Sequence, residues 1–196
     1  DILDADDFLR RRYRKIFIVT PTLNSTLVPA SVYEPGLRED YYRFNFGSSG
    51  DEHIFSNSLA FPDAVVLFAP EKEAAETIAS RWRDITPLHH FRPLLTHVAT
   101  ACRSNENCYV HLHREKDFVT VVVAEKRNLT FCNSFSVSDP QDSAYYLFSV
   151  LDRKGIRHDE TIHVSGLVEP YSEAHIALLS FAPGVKFASP LIRQSY

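Results

Sequence analysis

The chain has 196 residues, 44% hydrophobic and 23% charged, which supports a real buried core and excludes a disordered chain. Its formal net charge of −4, from 21 basic and 25 acidic residues, excludes generic electrostatic attraction to nucleic acid or an anionic membrane. Apolar runs such as 64–69 are too short to span a bilayer, and no charged-then-apolar leader is seen at the start. A cytoplasmic protein without membrane insertion is therefore expected.

Three cysteines, Cys102, Cys108 and Cys132, are too few and odd in number for a disulfide framework and read as reduced thiols. Asn24-Ser25-Thr26 and Asn128-Leu129-Thr130 match the glycosylation pattern, but without a leader they carry no weight. The sequence contains no methionine. The expectation that follows is that the protein's start, some loops or selenomethionines lie outside these residues.

The first segment reads as a helix whose charges suit its dipole, with Asp4, Asp6 and Asp7 leading and Arg10, Arg11, Arg12 and Arg14 following. The basic run could meet phosphate, but its acidic flank favours a solvated helix end. Residues 16–20 read as a buried strand stopped by Pro21. Residues 41–46 alternate aromatic and polar side chains, and 53–59 are strand-like. Gly47-Ser48-Ser49-Gly50 between them is expected to be a hairpin turn, since no helix follows it to make a phosphate clamp. A buried strand is expected at 64–69, then a helix opened by Pro70 and Glu71 and running to Trp82, then a helix over 93–103.

In the second half, 108–113, 118–124 and 129–135 read as strands of an antiparallel meander joined by polar turns at 114–117 and 125–128. Ser138 and Gln141 match a capping box, with Pro140 in the first turn. The helix after them buries Ala144, Leu147, Phe148 and Leu151 at three- and four-residue spacing, and Gly155 stands where a C-terminal cap belongs. A strand at 161–164, Gly166 and a helix over 172–181 complete the pattern. Three strands, a helix, a strand and a helix is the order of half a ribonuclease H-like or actin-like domain, though other folds share it.

Several tracts carry a family resemblance. They are Phe8-Leu9-Arg10-Arg11-Arg12-Tyr13-Arg14-Lys15-Ile16-Phe17-Ile18, Thr26-Leu27-Val28-Pro29-Ala30 and Tyr42-Arg43-Phe44-Asn45-Phe46 in the first half. In the second half they are Tyr109-Val110-His111-Leu112-His113, Asn133-Ser134-Phe135 and Asp142-Ser143-Ala144-Tyr145-Tyr146. Together, over nearly the whole chain, they resemble an uncharacterised bacterial domain of unknown function with an actin-like ATPase fold, similar to the pilus-assembly protein PilM. The resemblance implies a mixed α/β, two-lobed actin-like ATPase or ribonuclease H-like fold, each lobe a mixed sheet with flanking helices around a cleft. The lobes would be 1–104, with inserted strands and without its opening strands, and 105–196.

Actin-like ATPases hold nucleotide on glycine-rich loops whose backbone N–H groups approach phosphate, with carboxylates organising Mg²⁺ and water. The resemblance places the second phosphate loop in the turn between the first two meander strands. That stretch reads His111-Leu112-His113-Arg114-Glu115-Lys116-Asp117-Phe118 and has no glycine. The adenosine loop would be Ile162-His163-Val164-Ser165-Gly166-Leu167-Val168, with one glycine where active members have two. Asp117, Lys154, Ser165 and Gly166 are the candidate cofactor-binding residues of this degenerate cleft, and Glu115 is a further possible metal carboxylate. No catalytic residue is assigned.

Cys102, Cys108, His111 and His113 have zinc-ligand residue types, and His111 and His113 point the same way on a strand, but their spacing lacks the usual close ligand pairs. His89, His90 and His97 lie near a turn and a helix start, where exposed histidines are common. There is no Gly-x-Ser-x-Gly elbow, no cysteine setting that lowers a thiol pKa, and no carboxylate cluster on the central strands for a nuclease. Tyr145, Tyr146 and Phe148 read as core. The expectation is a non-catalytic pseudo-ATPase, a scaffold or binding module with an unidentified protein partner and no resident cofactor. The alternative is an actin-like enzyme that binds or hydrolyses ATP with Mg²⁺ on divergent loops.

Overall fold

The computed structural model describes residues 6–7, 11–47, 50, 52–103 and 108–188. In chain order the elements are β1 (Val19–Thr20), β2 (Ser25–Pro29), α1 (Arg38–Phe46), β3 (Phe55–Ala60), β4 (Asp63–Phe68), α2 (Lys72–Arg81), β5 (Leu88–His89) and α3 (Phe91–Ala101). They continue with β6 (Cys108–Arg114), β7 (Phe118–Glu125), β8 (Asn128–Ser136), α4 (Asp142–Lys154), β9 (Ile162–Gly166), α5 (Glu173–Leu179) and β10 (Val185–Phe187). Two short 3₁₀ turns, Ala30–Val32 and Pro35–Leu37, lead into α1.

The central sheet has the order β10-β9-β6-β7-β8. Strands β6, β7 and β8 form an antiparallel meander, whereas β9 and β10 run parallel to β6. Strand β7 reads Phe-Val-Thr-Val-Val-Val-Ala-Glu and is buried along nearly its whole length, as a run of β-branched residues covered on both faces should be. One face carries Val110, Leu112, Val119, Val121, Val123, Ile162 and Val164 and packs under Leu147, Leu151 and Leu178 of α4 and α5. The other face meets α3 and the β2-β4-β3 sheet through Leu59, Val66, Leu94, Leu95, Val98, Tyr109 and Val122. A third cluster, around Val28, Tyr42, Val65 and Leu67, seats α1 on the same small sheet.

Helices α2 to α5, the meander and strands β3, β4 and β9 lie where the sequence places them, within a residue or two. The expected strand at 41–46 is instead helix α1. Alternation would put Tyr42 and Phe44 on one face, yet Tyr42 is 2% exposed and Phe44 91%. The local forces are helical ones: Arg43 pairs with Glu39 at 3.0 Å, and Tyr42 packs on Phe46 with ring centroids 4.9 Å apart. The expected hairpin across 47–50 is therefore a helix exit, with Gly47 at φ +76°, and Ser48 and Ser49 lie outside the described residues. The hairpin joins β3 to β4 instead, over a cis Phe61–Pro62 peptide.

Of the expected N-terminal helix, Asp6, Asp7 and residues 11–14 are turn, bend and coil, while residues 1–5 and 8–10 lie outside the described residues. Strand character in 16–20 is confined to β1, which pairs in parallel with β5. The capping box is also replaced: Asp142 Oδ2 accepts the Ser138 and Asp139 N–H groups at 2.8 and 2.9 Å, and Asp139 Oδ1 accepts that of Gln141 at 2.8 Å. A carboxylate at a helix start gains from the dipole as well as the hydrogen bonds, which a serine hydroxyl cannot match. Strand β10 has no counterpart in the sequence reading.

Candidate functional site

Residues two apart on a strand share a face, so Tyr109, His111 and His113 on β6 stand beside His163 and Ser165 on β9. The register pairs His111 with His163 and His113 with Ser165. Helix α3 brings His97 to this face, β5 brings His89, and the residue between β5 and α3 is His90. Asn57 fixes β5 from the side: its Oδ1 accepts the His89 N–H at 2.7 Å and its Nδ2 donates to the Pro87 carbonyl at 3.1 Å. Six of the nine histidines thus meet on the sheet face under α3.

Their contacts form a continuous polar layer. Ser165 Oγ lies 2.8 Å from His111 Nε2 and 2.8 Å from His113 Nδ1, and His113 Nε2 lies 2.9 Å from Glu115 Oε1. His90 Nε2 meets Thr120 Oγ1 at 3.1 Å, which meets Ser134 Oγ at 2.8 Å. His97 Nε2 meets the Tyr109 hydroxyl at 3.3 Å, and His163 stacks on Tyr109 with centroids 4.4 Å apart. Buried polar atoms normally find partners, and the Nδ1 atoms of His90 and His111 stand out as unpaired.

Burial favours the neutral form of His89, His90, His97, His111 and His163. It lowers His89 to about 3, against a smaller opposing effect of the Thr22 carbonyl. Burial, then the neighbouring His89 and His113, lowers His90 to about 2. His111 is pushed well below the ordinary value by burial first and by His97, His113 and His163 next. Burial also lowers His97 and His163.

A cavity of about 940 Å³ opens beside this layer. Phe17, Val19, Leu88, Val168 and Phe187 give it apolar walls, while His90, His97, His113, Glu115, Ser165 and Arg92 supply its polar groups. A larger groove of about 1080 Å³ between α4 and α5, on the opposite face of the sheet, contains none of the expected site residues. The candidate site is the smaller cavity.

Two of the four sequence candidates, Ser165 and Gly166, line it. Asp117 is exposed in the β6–β7 turn, and its carbonyl accepts the Val137 N–H at 2.9 Å. Lys154, at the end of α4, stands 3.9 Å from Glu125. Glu125 is the register partner of Cys108, whereas Gly166 pairs with Arg114 at the other end of β6. Six residues of strand, roughly 20 Å, separate those ends, so Lys154 does not join the group. Gly166 itself is spent on packing: a Cβ there would lie 2.0 Å from the Arg114 carbonyl oxygen, and the next residue, Leu167, donates its N–H to that oxygen at 2.7 Å.

Zinc chemistry at Cys102, Cys108, His111 and His113 is not supported. Among the described residues no three His, Cys, Asp or Glu side chains are grouped so as to hold a metal ion. His111 and His113 turn inward to Ser165, and Cys108 sits at the far end of β6. The sequence reading also missed the roles of His89, His90, His97 and His163. Their only early signal is the one-residue alternation of His111 with His113, which shows a shared face but not what crosses it.

The sheet order, the helices on both its faces and the adjoining cavity define the protein's class: it has an actin-like ATPase fold. The chain is similar, at 19% identity and a TM-score of 0.83, to a Bacteroides thetaiotaomicron protein with an actin-like ATPase fold and unknown function, over 96% of this chain and 74% of that one. It is also similar to a chain of the PilM–PilN type IV pilus biogenesis complex, at 12% identity and a TM-score of 0.51, over 93% of this chain and 72% of that one. The chain belongs to the family described as "Protein of unknown function (DUF3822)", whose model matches residues 1–185. No curated protein matches it. Among the described residues, no helix is long and apolar enough to cross a membrane.

Proposed function

We propose that this protein is a pseudo-ATPase, an actin-like fold that does not hydrolyse ATP and serves in the cytoplasm as a scaffold or binding module for a protein partner. In this reading 1–104 and 105–196 are its two lobes, and Asp117, Ser165 and Gly166 are relics of a nucleotide cleft. One observation carries it: the groups that should face phosphate are already committed within the protein. Gly166 is closed by the Arg114 backbone, and Ser165 is held by two histidines. The β6–β7 turn is tied by the Glu115 N–H to the Phe118 carbonyl at 2.9 Å and contains no glycine. Phosphoryl transfer depends on backbone N–H groups and metal-bound carboxylates, and Glu115, the carboxylate of the cavity, is hydrogen-bonded to His113. The similarity to a chain of the PilM–PilN complex is consistent with a protein partner.

Titration calorimetry with ATP and Mg²⁺, repeated with ADP, tests the proposal together with a phosphate-release assay. The expected result is no saturable heat up to millimolar nucleotide and no phosphate above the buffer rate. Phosphate release that a cavity substitution abolishes would overturn it. A second reading, nucleotide binding, is favoured by the cavity itself, whose apolar walls and Arg92 suit a base and an anion. Saturable binding at micromolar ATP would select that reading.

A further inference from the structure

We propose that Ser165 is an activated nucleophile, with His113 as its base and Glu115 as the base's positioning residue, for acyl transfer from a carboxylic ester with an apolar acyl group. This goes beyond the reading above, which assigns a scaffold or binding role without ATP turnover, by adding an activity at a residue no longer used for nucleotide.

The argument begins with the register. His113 and Ser165 are direct partners on parallel strands, so their side chains rise together from one sheet face and both reach the cavity. With His113 in its neutral form, one protonation pattern satisfies every contact. A carboxylate only accepts, so the His113 nitrogen 2.9 Å from Glu115, Nε2, carries the proton. Nδ1 of neutral His113 then has a lone pair and accepts the Ser165 hydroxyl proton across 2.8 Å. The Ser165 oxygen accepts in turn from His111 Nε2–H at 2.8 Å, which leaves His111 Nδ1 as a bare lone pair, the buried atom found without a partner. Serine, neutral imidazole and carboxylate in series are the elements of a nucleophile activated by an oriented base.

The cavity supplies the substrate side. Phe17, Val19, Leu88, Val168 and Phe187 would accommodate an acyl chain, and Arg92 in the same lining supplies a positive charge for an oxyanion. Ser165 Oγ forms a bond to the carbonyl carbon while its proton passes to His113 Nδ1. The carbonyl π pair moves to oxygen, then re-forms the double bond as the ester C–O bond breaks. The departing alcohol oxygen takes the proton from His113, leaving acyl-Ser165. Water, activated by the same imidazole, attacks the acyl carbon, releases the carboxylic acid and restores the serine.

The full chain is incubated with an alkyl fluorophosphonate, the adduct is located by mass spectrometry, and hydrolysis of p-nitrophenyl butyrate is followed across pH. One adduct on Ser165 is expected, absent in Ser165→Ala and formed about 100-fold more slowly in His113→Gln. Glu115→Gln should slow hydrolysis and move the acid limb of its pH profile, and Glu115→Asp should recover part of the rate. Absence of an adduct on the wild-type chain, an adduct at another residue, or hydrolysis by Ser165→Ala at the wild-type rate would overturn the proposal. The wild-type labelling needs no variant to fold, and melting curves check each substitution. ATP hydrolysis would defeat the pseudo-ATPase reading without bearing on this result.

Discussion

Gly166 and Arg114 are register partners at the ends of two parallel strands, so close that a single Cβ on Gly166 would lie 2.0 Å from the Arg114 carbonyl oxygen. Gly166 also has φ +83°, where side chains are strained. Gly166→Ala is therefore expected to destabilise the protein by about 2 kcal/mol or more, read by urea unfolding. Gly155→Ala is the control: φ is +67°, nothing lies within 4 Å, and about 1 kcal/mol should be lost. Equal losses would show that Gly166 is not a packing glycine.

The histidine layer predicts acid sensitivity. His89 and His90 are lowered in the folded protein to about 3 and about 2, and His111 is lowered too, while the unfolded chain titrates near the ordinary 6.5. Below 6.5 the unfolded state binds the extra protons, so their contribution is complete above that pH and is lost as the pH falls toward the folded values. Each such histidine should remove about 1.4 kcal/mol per pH unit across that window. Urea midpoints between pH 7.5 and 5 should fall accordingly, and His90→Phe should flatten the slope. A midpoint independent of pH would contradict the neutral, buried layer.

The thiols should be inert. Burial, with Glu160 and Glu125 adding, raises Cys108 to about 11, and burial raises Cys132 to about 12 and also lifts Cys102. At pH 8 the native protein should react slowly with a thiol reagent, and all three should react on unfolding. A rapid native phase would identify an accessible thiolate.

Core and surface should separate cleanly. Leu147 is fully buried between α4 and the sheet, and Leu147→Ala should cost 2–5 kcal/mol. Phe44, 91% exposed on α1, should tolerate alanine within about 0.5 kcal/mol. Chemical denaturation of both variants measures the contrast.

The sequence by itself determined the elements whose signals are local. The β-branched run of β7, the three- and four-residue spacing of Ala144, Leu147, Phe148 and Leu151, and Gly155 at the end of α4 each state their structure within one turn or strand. The same holds for the lack of glycine in the β6–β7 turn. Where two local signals competed, as at Tyr42 and Phe44, the aromatic alternation pointed to a strand and the buried side of α1 decided for a helix.

The site was beyond that reach. Ser165 meets His113 only because β9 pairs in parallel with β6 after the α4 crossover, and no spacing in the chain encodes that register. Lys154 looked eligible by chemistry and stands at the wrong end of the sheet. Hydrophobic periodicity specifies which face of an element is buried, because burial acts on each residue where it stands. Only tertiary packing decides which faces meet, and the hydrogen bonds that join Ser165 to His111 and His113 exist only there.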